Sequence, residues 1–219
     1  MDGDINKKVL CITDRDLKID YKEDLNKIKS FIPTHIAKLL NNKKSKLENK
    51  KITLNKYRSE SKKYKIKIES KKIYYVRNNI AMVCQDTYGS TFEDELFLAN
   101  TNNKENAIQL LKTALCKSLN KFIEDNELNF EKWRDNVEKI KNAKTREKIK
   151  NMINKYDTLI KSDNENKEVY EKLFFSNLFL SYAENKKGEV ALEILLNNEL
   201  IDKLIIPQYI KEGIEWLMK

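Results

Sequence analysis

Val9-Leu10-Cys11-Ile12-Thr13-Asp14-Arg15-Asp16 is the stretch on which the reading turns. Four apolar residues run straight into two carboxylates spaced one residue apart. A short apolar run of this kind predicts a buried strand, of the sort found in parallel sheets. In open α/β sheets ligands bind just beyond the carboxyl ends of such strands. Asp14 and Asp16 would sit at that edge with their side chains on the same side. Two hard oxygen ligands so close together suit Mg²⁺, which takes one or two carboxylates and completes its shell with water and phosphate oxygens. An Asp-x-Asp after a strand also occurs in ordinary loops and helix caps, so the pair alone leaves both readings open.

Composition narrows the class. The chain has 219 residues, enough for one large domain or a domain with a helical appendage. Only 4 glycines and 2 prolines argue for long helices and against a turn-rich β sandwich. The abundance of Lys, Asn and Ile is what an AT-biased genome produces, and carries little weight residue by residue. No apolar run approaches the roughly 18 residues of a membrane span, and the acidic start Met1-Asp2-Gly3-Asp4 is no secretory signal. Cys11, Cys84 and Cys116 lack metal-binding spacing and sit among apolar residues. They read as buried free thiols of a reducing, cytoplasmic protein. The single histidine, His35, argues against a His-based zinc site or a Ser-His-Asp triad. The chemistry is left to carboxylates, Lys, Arg, Tyr or a metal.

Charge is distributed unevenly. Residues 43–72 hold thirteen Lys or Arg against three acids, a net +10 in a chain whose total is +9. Such a segment predicts a polyanion partner, DNA or RNA first, with Lys62, Lys63, Lys65, Lys67, Lys71 and Lys72 in its densest part. A lysine-rich solvated surface accounts for it equally.

In chain order, apolar spacing from Leu25 to Leu40 predicts a helix over about 22–43, disturbed at Pro33. A basic insert spans 41–80. Alternation at Tyr64, Ile66 and Ile68, then the runs Ile73–Val76 and Ile80–Cys84, predict two or three short strands. Gly89 turns the chain, and Ser90 or Thr91 caps a helix whose first turn holds Glu93, Asp94 and Glu95. Acids there suit the helix dipole; Glu93 is alternatively a third metal ligand. Residues 105–180 carry four apolar helical stripes that predict core. A further helix starts near Gly188 and is expected to turn Val190, Ala191, Ile194 and Leu195 inward. Lys186 and Lys187 stand just before it, where the dipole disfavours cations. They are either solvated or, with the helix start, an anion site for phosphate. Ile205-Ile206-Pro207 leads into a closing amphipathic helix, Tyr209 to Met218.

Four of these stretches together resemble the OLD family (overcoming lysogenization defect) of ATP-dependent endonucleases, in the second half of its Toprim nuclease domain. Cys11-Ile12-Thr13-Asp14-Arg15-Asp16 is similar to the family's Asp-x-Asp strand end. Thr91-Phe92-Glu93-Asp94-Glu95-Leu96 resembles its Thr-Leu-Glu-x-x-Leu pattern. Lys187-Gly188-Glu189-Val190-Ala191-Leu192-Glu193 resembles its Lys-Gly helix start. Ile206-Pro207-Gln208-Tyr209-Ile210, with Ile214 and Trp216, resembles its closing helix. Residues 41–80 and 125–180 match only in general character.

The resemblance implies an α/β fold: a partial Toprim-like parallel sheet flanked by helices, with a mainly helical C-terminal part. The expected division is 1–104 for the second half of the nuclease domain, with its basic insert, and 105–219 for the closing helical part, including the Lys-Gly helix at 187–197. It implies divalent-metal DNA cleavage, with phage defence as a setting. Asp14 and Asp16 would hold Mg²⁺ or Mn²⁺, Glu93 would approach a second metal, and Lys187 would stabilise charge on the cleaved phosphate, Asp14 and Lys187 being the catalytic pair. The family's earlier Glu-Gly strand end and its Gly-rich ATPase loop have no counterpart here, since no Gly-x-x-x-x-Gly-Lys-Ser/Thr occurs. The expectation is therefore a fragment, split-gene product or degenerate remnant, inactive alone or dependent on a partner. ATP would act through a missing N-terminal ATPase half or a separate ATPase chain. The first strand would expose an edge for that partner or for a homo-oligomer, and no membrane is involved. The contrasting class is a non-catalytic nucleic-acid-binding or regulatory protein using the 43–72 patch. A primase- or topoisomerase-like use of the fold would want a nucleophilic Tyr, for which the ten tyrosines offer no recognisable context.

Overall fold

A computed structural model describes residues 7–14, 67–68, 73–77, 80–85, 87–89 and 91–219. The helix expected over 22–43 lies outside them, as does most of the basic insert. The chain divides into two compact units, residues 1–95 with 206–219, and residues 96–205.

The first unit is built on a four-stranded sheet of β1 (Val9–Ile12), β2 (Lys67–Ile68), β3 (Ile73–Arg77) and β4 (Ile80–Val83), in the order β1-β4-β3-β2. β1 runs parallel to β4, pairing Val9 with Ile80 and Ile12 with Val83. β3 is antiparallel to β4, with an irregularity between Tyr75 and Arg77, and β2 is antiparallel to β3. The sheet is therefore mixed, where a parallel one was expected. Only two residues, Asn78 and Asn79, separate β3 from β4 in sequence. A two-residue link joins antiparallel neighbours, whereas a parallel crossover needs a dozen residues or more.

β1 is also less buried than its apolar run predicts. Val9 and Ile12 are 44% and 48% exposed, and Leu10 alone of the strand is half-buried. Among the described residues β1 pairs on one side only. Leu10 faces the same way as Ala81 and Val83, and these three pack with Tyr209, Ile210 and Trp216 of the closing helix, Gln208–Met218. Fully burying Val83 there contributes about 1.5–3 kcal/mol. The helix approaches closely because it has no side chain at Gly213. A Cβ there would come 3.1 Å from both Leu10 Cδ2 and Val83 Cγ2. Lys8 adds a tie, its Nζ donating to the Trp216 carbonyl at 3.1 Å.

Helices follow the sheet: α1 (Phe92–Asn100), α2 (Lys104–Ala114), α3 (Asn120–Asn126), α4 (Phe130–Asn136), α5 (Ala143–Ser162), α6 (Lys167–Ala183), α7 (Lys187–Leu196), α8 (Asn198–Lys203) and α9, the closing helix. None of the described helices is long and apolar enough to cross a membrane. Together with the sheet they make a mixed α/β fold that is mainly helical.

The helical unit has its core where the stripes predict it. Leu110, Leu111, Trp133, Ile149, Phe174 and Leu178 are fully enclosed. Trp133 meets Phe122, Phe174 and Phe175 edge-on, at centroid distances of 5.0, 6.1 and 5.6 Å. Such pairs add about 0.5–1.5 kcal/mol each beyond area burial. Asparagines, set aside above as compositional, do structural work here. Asn103, Asn129, Asn142 and Asn197 each cap a helix by accepting a first-turn N–H. Asn100 and Asn106 are buried and bridge α1 and α2 to the carbonyls of Ile205 and Lys203, at 2.9 and 2.7 Å.

Two expectations fail in detail. On α7 only Val190 and Ile194 are buried; Ala191 is exposed, and Leu192, Leu195 and Leu196 are 55%, 61% and 74% exposed. The buried stripe is narrow because, among the described residues of its unit, α7 packs chiefly on α2 and α8. Of the thiols only Cys84 is buried. Cys11 lies on β1 and is exposed, and Cys116, also exposed, lies past the end of α2, before a short 3₁₀ turn.

Candidate functional site

The carboxyl ends of β1 and β4 lie side by side. The ladder continues one step past β1, where the Thr13 N–H donates to the Val83 carbonyl at 3.0 Å. The next residues on the two strands are therefore brought level. Asp14 Oδ1 accepts a 2.8 Å hydrogen bond from Gln85 Nε2. Gln85 is 1% exposed, and its amide also donates to the Tyr209 hydroxyl at 3.3 Å. The half-buried Asp14 is thus held at the strand edge by a buried amide, which is backed by a fully enclosed phenol. Burial pushes the Tyr209 hydroxyl above its ordinary range, and the negative charges of Asp14 and Glu95 push it the same way. It stays neutral and supports the amide from beneath.

The loop from β4 to α1 is organised by two of the three first-turn acids. Glu95, 3% exposed, accepts from the Thr87 hydroxyl at 2.6 Å and from the Gly89 N–H at 2.9 Å. Asp94 accepts from the Thr91 N–H at 2.9 Å, while Thr91 caps α1 in return. This is the reciprocal arrangement of a capping box. Gly89 is needed for the loop to close on Glu95: a Cβ would collide with Glu95 Oε2 and lie 2.8 Å from its Cβ. Asp94 and Glu95 therefore serve the loop. Glu93, the acid singled out by sequence, is half-buried in the same turn.

The remaining expected residues distribute as follows. Asp16 lies outside the described residues, as do Lys62, Lys63, Lys65, Lys71 and Lys72; Lys67 is described only as part of β2. Lys187 opens α7 in the helical unit and is exposed, with Lys186 before it offering no side-chain cap. Open space surrounds the position where Gly188 would carry a Cβ. Among the described residues no three His, Cys, Asp or Glu side chains converge as a metal site would require. Asp14 supplies one fixed carboxylate, the lower end of what Mg²⁺ takes from a protein. Gln85 and Tyr209 escaped the sequence reading. A Gln directly after an apolar strand, level with an Asp after its neighbour, is a weak signal. Nothing in the Ile206–Ile210 stretch marks Tyr209 as the buried partner of Gln85.

No protein-family model matches this chain, and no match is found among curated proteins or solved structures.

Proposed function

We propose that this chain is the nuclease portion of a divalent-metal-dependent DNA endonuclease of the OLD type, with a Toprim-like sheet. The observation that carries the reading is the Asp14 carboxylate, fixed by Gln85 at the carboxyl ends of a parallel strand pair. Ligands of α/β sheets collect there. Asp14, Asp16 and Glu93 would hold the metal. Mg²⁺ or Mn²⁺, when bound, supplies an activated water and charge neutralisation at the phosphodiester. Within the chain, Gln85 orients Asp14 and keeps Oδ1 engaged, so that one direction of approach to the carboxylate is set. Lys187 takes the role of neutralising charge on the cleaved phosphate, on the strength of its Lys-Gly helix start. The 43–72 segment tracks the DNA backbone. ATP would enter through an ATPase domain or chain, because this sequence holds no phosphate-binding loop.

A second reading, a non-catalytic nucleic-acid-binding protein, is favoured by the net +10 charge concentrated in residues 43–72, which suits a polyanion without requiring a reaction. Plasmid nicking separates the two. Wild type is assayed with Mg²⁺ or Mn²⁺ beside Asp14→Asn and Lys187→Ala, with and without an OLD-type ATPase partner. Cleavage lost in both variants supports the nuclease and its residues. Cleavage indifferent to both overturns the assignments, and DNA binding with no cleavage in any arm establishes the binder.

A further inference from the structure

α3 and the segment from α4 to α5 enclose a cavity of about 570 Å³ in the helical unit. That volume is in the range of small-molecule sites, roughly 300–1,000 Å³. Its wall combines three chemistries. Lys121 on α3, and Lys139 and Lys141 before α5, supply cations, with Asp125 the single acid among the lining residues. The three lysines are exposed and take part in no ion pair among the described residues, whereas neighbouring Lys112 and Lys150 are paired with Glu124 and Glu138. Phe122 and Ile140 supply an apolar surface. Phe122 is half-buried, and its ring meets Trp133 edge-on at 5.0 Å, which fixes it in the wall. Asn136 supplies a polar group, held there by donating to Asn126 Oδ1 at 2.8 Å.

A neutral apolar ligand would strip water from three cations without return. Inorganic phosphate alone would leave the apolar wall unused. A ligand with both an anionic group and a flat ring satisfies both. We propose that this cavity binds a nucleotide, its phosphate among Lys121, Lys139 and Lys141 and its base against Phe122 and Ile140. The unit bound is either a free nucleotide or one residue of a single strand, since both present the same chemistry. This site shares no residue with the Asp14 edge and does not depend on the nuclease reading.

Trp133 reports on it. In the full chain carrying Trp216→Phe, the other tryptophan is removed and Trp133 fluorescence is followed on titration with ATP, AMP, a short deoxythymidine oligomer and inorganic phosphate. Saturable quenching by the nucleotides or the oligomer is expected. Replacing all three lysines by Ala weakens it by about tenfold or more, as loss of charge-assisted contacts predicts. Replacing Lys155, Lys161 and Lys211 by Ala leaves it unchanged. Phe122→Leu weakens nucleotide more than phosphate. Tighter binding of the oligomer than of the mononucleotides assigns the strand as source, and the reverse order assigns the free nucleotide. Circular dichroism and melting, expected unchanged for these exposed lysines, confirm that each variant is folded. No saturable binding up to millimolar ligand, equal affinity in the two triple variants, or phosphate binding as tightly as nucleotide would each overturn the proposal.

Discussion

Changing Asn100 to Asp alters one group and leaves the shape of a buried side chain intact. Asn100 is fully enclosed and uses all of its hydrogen-bonding capacity. Its Nδ2 donates to the carbonyls of Leu96 at 2.8 Å and Ile205 at 2.9 Å. Its Oδ1 accepts from the Ile205 N–H at 2.9 Å and from Asn106 Nδ2 at 3.1 Å. Asp keeps both acceptances and turns the two donations into an oxygen facing two carbonyl oxygens. Each buried group left without its partner costs about 1–3 kcal/mol, so the loss at pH 7 is about 3–5 kcal/mol. Burial and the facing carbonyls raise the folded pKa of the new carboxyl above its unfolded value of about 3.9. A raised folded pKa means the folded state gains protons first as pH falls. The defect is therefore full above the folded pKa and shrinks toward the unfolded one, since the protonated acid regains one donor. Urea unfolding followed by Trp133 fluorescence, in the Trp216→Phe background, measures the difference from wild type at pH 7 and pH 5. A loss below about 1 kcal/mol at pH 7, or one that does not change with pH, would refute the assigned hydrogen bonds.

Gly89→Ala is expected to cost about 2–4 kcal/mol, because the new Cβ displaces the buried Glu95 carboxylate from Thr87 and Gly89, and urea unfolding reads the loss. Gly213→Ala trades about 1 kcal/mol of gained helix propensity against a 3.1 Å squeeze on Leu10 and Val83, giving a change near zero. Gly213→Val adds branching in the same space and should lose about 1–3 kcal/mol, by thermal melting. Because Tyr209 ionises less readily folded than unfolded, stability is unaffected below its ordinary value of 10.0 and falls as pH rises beyond it. Tyr209→Phe removes that decline while costing about 1 kcal/mol at pH 7, and a stability profile from pH 8 to 11 checks both.

Much of the architecture could be read from pattern. β1, β3 and β4 follow their apolar runs, α1 starts at its Thr91 cap, and α9 follows its amphipathic spacing. Strand direction was misjudged because it lies in a two-residue link, and the link says more than the runs it joins. Burial on α7 was overestimated because sequence shows that a face is apolar, while only packing shows how wide a partner meets it. At the site, Asp14 was legible because an acid ending an apolar run breaks the pattern. Gln85 carries no charge to break it with, and its role depends on β1 lying next to β4. Among the first-turn acids, Glu95 was separated from Glu93 by the Gly89 turn, a feature of loop geometry that helix spacing does not encode.

The sheet unit is discontinuous along the chain: its first part ends at Glu95 and its last helix begins after Ile205. The helical unit is one unbroken stretch of chain, whereas the sheet is covered only by a helix that follows that whole stretch. Leu10, Ala81 and Val83 stay uncovered until Tyr209 and Gly213 dock on them. Closing so long a loop is slow, and unpaired edges are vulnerable while they wait. The sheet, and the carboxylate it holds, therefore depends on a closure between segments distant in sequence, a dependence the helical unit does not share.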